Sequence, residues 1–207
     1  MNSPALFATP SGAMSKAAWQ PRQVFLFSGH RVDEPGRADP RFPSDKVGIA
    51  ADRIGEALDQ LGAGPDDLAL TQGACGGDLL FSRACQERGV RVQWLQAFEE
   101  AEFIQASVVR GGESWRQVYL EARARLEAPI RSAAAELGQL PEGSDPYERC
   151  NLWLLNTALS LGPEKVRFIC LWNGGGGDGP GGTAHMVDEV KRRTGQVIWL
   201  DTRTIFG

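Results

Sequence analysis

The feature that most constrains the fold of this chain is a recurring unit: a short apolar run, a turn that contains glycine, and then a helical pattern. The runs are Val24–Phe27, Leu68–Leu70 and Val166–Trp172, and the turns are Ser28–Gly29, Gly73–Gly77 and Gly174–Gly182. Short apolar runs bounded by turns are typical of strands buried on both faces of a parallel sheet. Strands that alternate with helices need right-handed crossovers. The sequence therefore predicts a single α/β domain with a mostly parallel sheet and helices on both faces.

The spacing of apolar residues also predicts the helices. Four are expected, and they cover 44–61, 78–88, 146–161 and 183–193. Two further strands are expected at 90–95 and 197–200. The segment 99–137 has a helical pattern that is broken at Gly111–Gly112 and at Pro129, since glycine and proline interrupt helices.

Length and composition set the domain organisation. With 207 residues and about 150 residues per typical domain, one domain is expected. Residues 1–22 are rich in Ser, Ala and Pro and are expected to form a flexible tail or linker, so the domain covers 23–207. Lys and Arg total 22 against 26 Asp and Glu, a net charge of −4. Because nucleic-acid binding usually needs a basic surface, this balance disfavours nucleic acid as a partner.

The chain has no feature of a membrane or metal protein. No apolar run approaches the roughly 20 residues that cross a bilayer, and the first 20 residues do not have the pattern of a secretory signal. The four cysteines form no CxxC pair, and there are only two histidines. We therefore expect free, partly buried thiols in a reducing cytoplasm, with no metal, no cofactor and no membrane partner.

The three glycine-bearing turns predict where a ligand binds. In parallel sheets, ligands bind beyond the carboxyl ends of the strands, where loops meet the amino termini of helices. Backbone N–H groups and the helix dipole can hold a phosphate there, and an arginine can bind it through two hydrogen bonds. The candidate ligand-binding residues are Ser28, Gly29, His30, Arg31, Gly73, Ala74, Gly76, Gly77, Asp78, Gly181, Gly182, Thr183 and His185.

These motifs carry a family resemblance. FSGHR after the first strand, QGACGGD after the second and GPGGTAH before the penultimate helix resemble the SLOG superfamily, which joins DNA-processing protein A to the cytokinin-activating LOG phosphoribohydrolases. The resemblance covers Val24 to Thr202. It implies a Rossmann-like domain that binds a nucleotide or a nucleotide-derived signal, in the manner of sensor modules in bacterial signalling or defence. Members of such families are often fused to effector domains, and homodimers are common among them.

The resemblance also implies an alternative activity, hydrolysis of the base–ribose bond of a nucleoside monophosphate. The hydrolases of this type resemble P-G-G-x-G-T-x-x-E, in which the glutamate supports cleavage. Counted from Pro180, the acid falls on Asp188; counted from Thr183, it falls on Met186, and Glu189 is one residue beyond Asp188. Asp188 and Glu189 are therefore the candidate catalytic residues. This chain lacks the second glycine of the pattern, so the register of the acid differs from that of the hydrolases.

Three functional hypotheses remain beside binding of a nucleotide signal. The first is the N-glycosidase described above, and the second is retention of single-stranded DNA, which needs a local basic groove. The third is a structural or interaction domain that has kept the fold without a ligand. The chain has no Walker A lysine and no serine nucleophile in a strand-to-helix turn, so ATP hydrolysis and serine acyl transfer are disfavoured.

Overall fold

The computed structural model describes residues 19–176, 182–194 and 196–207. Six parallel strands form one sheet in the order β4-β3-β2-β1-β5-β6. The strands are β1 Val24–Gly29, β2 Leu68–Thr71, β3 Arg91–Gln96, β4 Arg131–Ser132, β5 Val166–Trp172 and β6 Val197–Asp201. The predicted fold class, a parallel α/β sheet in a single Rossmann-like domain, is confirmed.

Helices cover both faces of this sheet. They are α1 Val47–Gln60, α2 Gly77–Glu87, α3 Glu100–Phe103, α4 Ser114–Arg123, α5 Ala133–Leu137, α6 Pro146–Ser160, α7 Thr183–Arg193 and α8 Thr202–Ile205. Side chains alternate across β1, so Phe25 and Phe27 pack in the core formed with α1, α2 and α4. Val24 and Leu26 pack in the opposite core, formed with α6 and α7. A strand that is buried on both faces has a continuous apolar run, which explains the VFLF sequence.

The strand order places a topological switch point between β1 and β5. The chain builds the sheet outward from β1 through β2 and β3 to β4, and then returns to place β5 on the other side of β1. The loops that leave the carboxyl ends of β1 and β5 therefore diverge in opposite directions along the sheet. In open α/β sheets a ligand crevice forms at this position.

The middle of the chain differs most from the sequence prediction. The helical pattern of 99–137 is divided into α3, a wide turn over Ile104–Val108, α4 and α5. Strand β4 was not predicted, because Arg131–Ser132 is too short to show a periodic pattern. It pairs with the end of β3, and the Ser132 hydroxyl also accepts a hydrogen bond from the N–H of Ala135 at the start of α5 (3.2 Å).

Residues 19–22 are attached to the domain, and the tail residues 1–18 lie outside the described ranges. Arg22 donates from Nε and Nη2 to the buried carboxylate of Asp67, at 3.0 and 2.6 Å. The backbone N–H groups of Gln23 and Gly64 donate to the same carboxylate. An ion pair therefore fixes the start of β1 to the turn before β2.

The four cysteines are free and buried, as the sequence predicts. Burial raises the pKa of Cys75 to about 11 and the pKa of Cys170 to about 12, so neither thiol is reactive near neutral pH. Within the described ranges, none of the helices is long and apolar enough to cross a bilayer.

Candidate functional site

Two hydroxyl groups and a helix amino terminus meet at the switch point. The Oγ atom of Ser28, near the end of β1, lies 3.3 Å from the Oγ1 atom of Thr183, the first residue of α7. The first backbone N–H groups of an α-helix have no partner within the helix. Gly182, which caps α7, has no side chain to offer them. Among the described residues no side chain caps these N–H groups, so the switch point presents hydrogen-bond donors and the positive end of the α7 dipole, which together suit an anion.

His30 connects the loops that follow β1 and β5. Its Nε2 atom accepts a hydrogen bond from the backbone N–H of Asn173, at 3.1 Å, and the Asn173 carboxamide oxygen accepts one from the N–H of Gly175. Burial and the nearby guanidinium of Arg41 lower the pKa of His30 from 6.5 to about 4. His30 is therefore a neutral acceptor at neutral pH. This hydrogen bond holds the loops after β1 and β5 together at the entrance of the crevice, and it uses Nε2, which is therefore not available to a ligand.

The loops that follow β1 and β2 interlock through two glycines. The N–H of Gly77 donates to the carbonyl of His30, at 3.1 Å. Gly76 has φ +86°, and a Cβ atom placed on it would lie 2.6 Å from the backbone nitrogen of Val32. Such a distance is not compatible with a side chain, so only glycine fits there. The GACGGD motif therefore includes a backbone crossing point beneath the loop that carries His30.

Asp78 closes the β2–α2 loop on itself. Its Oδ2 atom accepts a hydrogen bond from the N–H of Ala74, at 3.3 Å. Burial raises the pKa of Asp78 from 3.8 to about 6, although backbone hydrogen bonds, that from Ala74 first, act to lower it. The N–H of Cys75 is also occupied, by the carbonyl of Ser107. The N–H groups of Ala74 and Cys75 therefore bond within the protein and are not available to a ligand.

Arg31 is a cation three residues after Ser28, and it has no carboxylate partner among the described residues. It is exposed, and its Nη1 atom donates to the carbonyl of Ala106, at 3.0 Å. The loop that begins at Arg31 is fixed from within, because the Asp33 carboxylate accepts from the N–H groups of Arg41 and Phe42 and Phe42 is fully buried. The backbone at Arg31 is therefore held in place, and its guanidinium charge, which no described carboxylate neutralises, is available to an anion.

A second hollow further along the same edge of the sheet has a different character. It measures about 630 Å³ and lies beyond the ends of β3 and β4. Two of its arginines are already paired, Arg123 with Glu100 and Arg131 with Glu136. Since carboxylates neutralise both cations, the hollow offers no free positive charge to an anion. The switch-point crevice suits an anion better.

The structure does not bring the two candidate catalytic acids to the crevice. Glu189 accepts hydrogen bonds from Arg192 and Arg193 toward the end of α7, at 2.6 and 3.1 Å, and these arginines lower the pKa of its carboxyl. Asp188 is exposed in the second turn, about 7.5 Å along the helix from Thr183. Met186, the alternative register, is buried in the core.

The remaining candidate residues have separate positions. The Nε2 atom of His185 lies 3.5 Å from Oε1 of Glu148 on α6, so this side chain is directed toward a neighbouring helix. Gly29 and Gly73 lie against aromatic rings, since added Cβ atoms would lie 2.9 Å from the Phe27 ring and 3.0 Å from the Trp94 ring. Gly181 lies outside the described residues.

Sequence reasoning missed several polar residues at this edge of the sheet. Asn173 had no motif around it, although its position directly after a buried strand is a signal that could have found it. Gln72 donates to Asn151 on α6, and Gln96 donates to the carbonyl of Gln72 and to Tyr119. The carboxamide oxygens of both glutamines are buried without a partner among the described residues. Buried acceptors of this kind require a donor from water or a ligand.

The comparisons with known proteins do not assign a family. No protein-family model matches the chain, and no curated protein matches its sequence. Among solved structures, the chain is similar to the structure of the Moco carrier protein from Chlamydomonas reinhardtii, with 11% identity, 87% of this chain and 88% of that chain covered, and a TM-score of 0.35. This TM-score is too low to support an argument about the site. The fold rests on the sheet topology, and the SLOG resemblance stays a prediction.

Among the described residues, no group of three or more His, Cys, Asp or Glu is arranged to hold a metal ion.

Proposed function

We propose that this domain binds a nucleotide or a nucleotide-derived signalling molecule through its phosphate, in the crevice between β1 and β5, as a sensor module in bacterial signalling or defence. The observation that carries the proposal is the convergence of Ser28 and Thr183 at the amino terminus of α7, which no side chain of the described residues caps. One of these two hydroxyl groups donates to the other, which leaves one hydroxyl donor for a ligand. A hydroxyl donor, the first N–H groups of a helix and the helix dipole at a topological switch point are the elements of a phosphate site.

The charge arrangement supports an anionic ligand. Arg31 follows the end of β1, and its guanidinium donates to the carbonyl of Ala106 but has no carboxylate partner among the described residues. Many other arginines of the domain pair with carboxylates. The total charge of −4 gives no indication of an extended basic surface. Such a site favours one small anion over a nucleic-acid strand.

The arrangement of titratable groups favours binding without turnover. Hydrolysis of a base–ribose bond needs a carboxylate or another acid–base group placed within hydrogen-bond reach of the reacting atoms. Glu189 is bound to two arginines, Asp78 accepts a hydrogen bond from its own loop, and His30 accepts one from Asn173. These three groups are held in structural roles, and the remaining candidate acid, Asp188, lies about 7.5 Å along α7 from Thr183. A sensor that retains its ligand intact fits this arrangement.

The test is equilibrium filtration of the purified protein against a panel of nucleoside mono-, di- and cyclic nucleotides and NAD derivatives, with mass spectrometry of the retained and free pools. The informative variant is Gly182→Asp. Gly182 has the extended conformation of an N-cap (φ −72°, ψ 170°), which Asp145 and Asp201 adopt as caps of α6 and α8. An aspartate there satisfies the free N–H groups and adds a negative charge, so α7 stays folded while the anion is repelled.

We expect the wild-type protein to retain one class of nucleotide intact. The Gly182→Asp protein should bind it at least about ten-fold more weakly with no loss of thermal stability, because charge-assisted hydrogen bonds to phosphate are lost. The control is Arg53→Gln, which changes a surface arginine that pairs with Glu56 on α1. Undiminished binding in the Gly182→Asp protein would contradict the proposed site, and release of free base would contradict binding without turnover.

A further inference from the structure

Two tryptophans and an arginine form a small surface at the carboxyl ends of β5 and β6, which we call the tryptophan platform: Trp172, Trp199 and Arg203. Trp172 ends β5 and Trp199 lies in β6, the edge strand of the sheet. Their ring centroids are 5.6 Å apart with an interplanar angle of 40°. Trp199 keeps 46% of its surface exposed, the largest fraction among the exposed large hydrophobic residues of the described chain.

Hydrogen bonds hold both rings in place. The indole N–H of Trp199 donates to the carbonyl of Trp172, and the indole N–H of Trp172 donates to the carbonyl of Gly175, each at 2.9 Å. A ring whose N–H group is already paired has lost part of its rotational freedom before any ligand arrives. A planar group that stacks on such a ring meets a smaller entropic cost than it would on a mobile side chain.

Arg203 adds a planar guanidinium, paired with Asp201, beside the aromatic surface. Its guanidinium carbon lies 5.6 Å from the centroid of the Trp199 ring, within the range of a cation–π contact. Asp201 fixes the guanidinium through two hydrogen bonds, at 3.0 and 2.7 Å. Aromatic rings together with an arginine are the groups that proteins use to stack nucleobases.

The platform is joined to the crevice by the loop that follows β5. Gly174 has φ +75°, and a Cβ atom on it would lie 3.1 Å from Cζ2 of Trp199 and 3.0 Å from Nη2 of Arg203. The residue before it, Asn173, donates to His30 at the switch point. From β1, which carries Ser28, to β6, which carries Trp199, the sheet extends by two strand spacings, about 10 Å.

We propose that the tryptophan platform stacks the planar heterocycle of the same ligand whose phosphate lies in the crevice, with Trp199 as the residue that contacts the base. This inference rests on the proposed function and adds the position of the base. Since every base has a π-face, the platform selects for a planar ring over none and discriminates weakly among bases. The ligand then lies across β5, with its phosphate at β1 and its base toward β6.

The experiment compares two probes that share a phosphate and differ in the ring. AMP carries both a phosphate and a base, and ribose 5-phosphate carries only the phosphate and the sugar; the binding of each is measured by calorimetry. Trp199→Ala should weaken AMP binding by roughly ten-fold and leave ribose 5-phosphate binding unchanged, whereas Trp199→Phe should restore most of the AMP affinity. Because Trp199 is close to half exposed, its replacement removes little core packing.

The matched control is Trp19→Ala. Trp19 is also exposed, at 39%, and the guanidinium of Arg91 lies over its ring at 4.1 Å. Arg91 begins β3, so this pair lies at the amino-terminal edge of the sheet, opposite the tryptophan platform. It should leave both affinities unchanged. If Trp199→Ala lowers the affinity for both probes equally, or lowers neither, the proposed role of the platform is refuted, while the phosphate site is not affected by the result. If the wild-type protein binds neither probe nor any nucleotide of the panel, the proposed function fails, and the platform with it.

Discussion

Two buried titratable groups in the interlocked loops respond to pH in opposite directions. The pKa of His30 is lowered from 6.5 to about 4 by burial and by Arg41, and the pKa of Asp78 is raised from 3.8 to about 6 by burial. Between pH 4 and 6, the unfolded chain is protonated at the histidine and the folded chain at the aspartate. Folding in this range therefore releases a proton at one position and takes one up at the other.

The signs follow from linkage. His30 binds a proton more tightly in the unfolded chain, so its contribution to stability is lost as the pH falls from 6.5 through 4. Asp78 binds a proton more tightly in the folded chain, so its contribution to stability is present at low pH and is lost as the pH rises through 6. Lowering the pH from 7.5 to 4.5 should lower the free energy of unfolding by about 2–3 kcal/mol through His30 and raise it by about 2 kcal/mol through Asp78. In the wild-type protein the two effects nearly cancel.

His30→Gln separates these effects. The free energy of unfolding is measured by urea titration, with tryptophan fluorescence, at pH 7.5 and pH 4.5. The difference in free energy of unfolding between variant and wild type should move by about 2–3 kcal/mol in favour of the variant at the lower pH, because glutamine has no proton to gain. Asp78→Asn is the mirror control, and there the difference should move by about 2 kcal/mol in favour of the wild type. A His30→Gln difference that is the same at both pH values would refute the assignment of a buried, neutral histidine.

Two further predictions concern stability. Gly76→Ala should lower the free energy of unfolding by about 3 kcal/mol, because the methyl group meets backbone atoms at a positive φ; the control Gly36→Ala has a similar φ of +82° and open space, so about 1 kcal/mol is expected from conformational strain alone. Equal losses in urea titrations would disprove the backbone crossing. Arg22→Ala should lower the free energy of unfolding measurably, because it leaves the buried Asp67 carboxylate without its charged partner, whereas Arg53→Ala, at an exposed pair, should have little effect. A loss at Arg22 no greater than that at Arg53 would show that the tail residue is not part of the folded unit.

The sequence predicted the fold where the apolar pattern was long and the boundaries were marked. Thr183–Arg193 and Val166–Trp172 have the predicted limits, because a glycine loop precedes the helix and the strand is apolar almost throughout. Strand β4 was missed because two residues carry no periodicity, and tertiary pairing with β3 decides their conformation. Local pattern therefore determined the long elements, and long-range contacts determined the short ones.

The candidate site was predicted at the level of loops more than at the level of side chains. The carboxyl edge of the sheet follows from topology, so the positions of Ser28 and Thr183 could be inferred without coordinates. The structural role of Asp78 could not be inferred from the sequence. Its carboxylate is buried and accepts a hydrogen bond from its own loop, and neither fact is visible without coordinates. The direction of His185 toward α6 depends in the same way on how two helices pack.

The strand order also has a consequence for the order in which the protein folds. Val24 pairs with Leu68 on one side and with Val166 on the other, so the two neighbours of β1 are separated from it by very different lengths of chain. Non-local pairings form slowly because the intervening chain must first be ordered. During synthesis, the four strands β1 to β4 can assemble while β1 still lacks its second neighbour, and its apolar edge stays open to aggregation until β5 is made. The junction between β1 and β5, which holds the proposed phosphate site, therefore closes late, and only β6 is added after it. A ligand present at that moment would promote the pairing of β5 with β1.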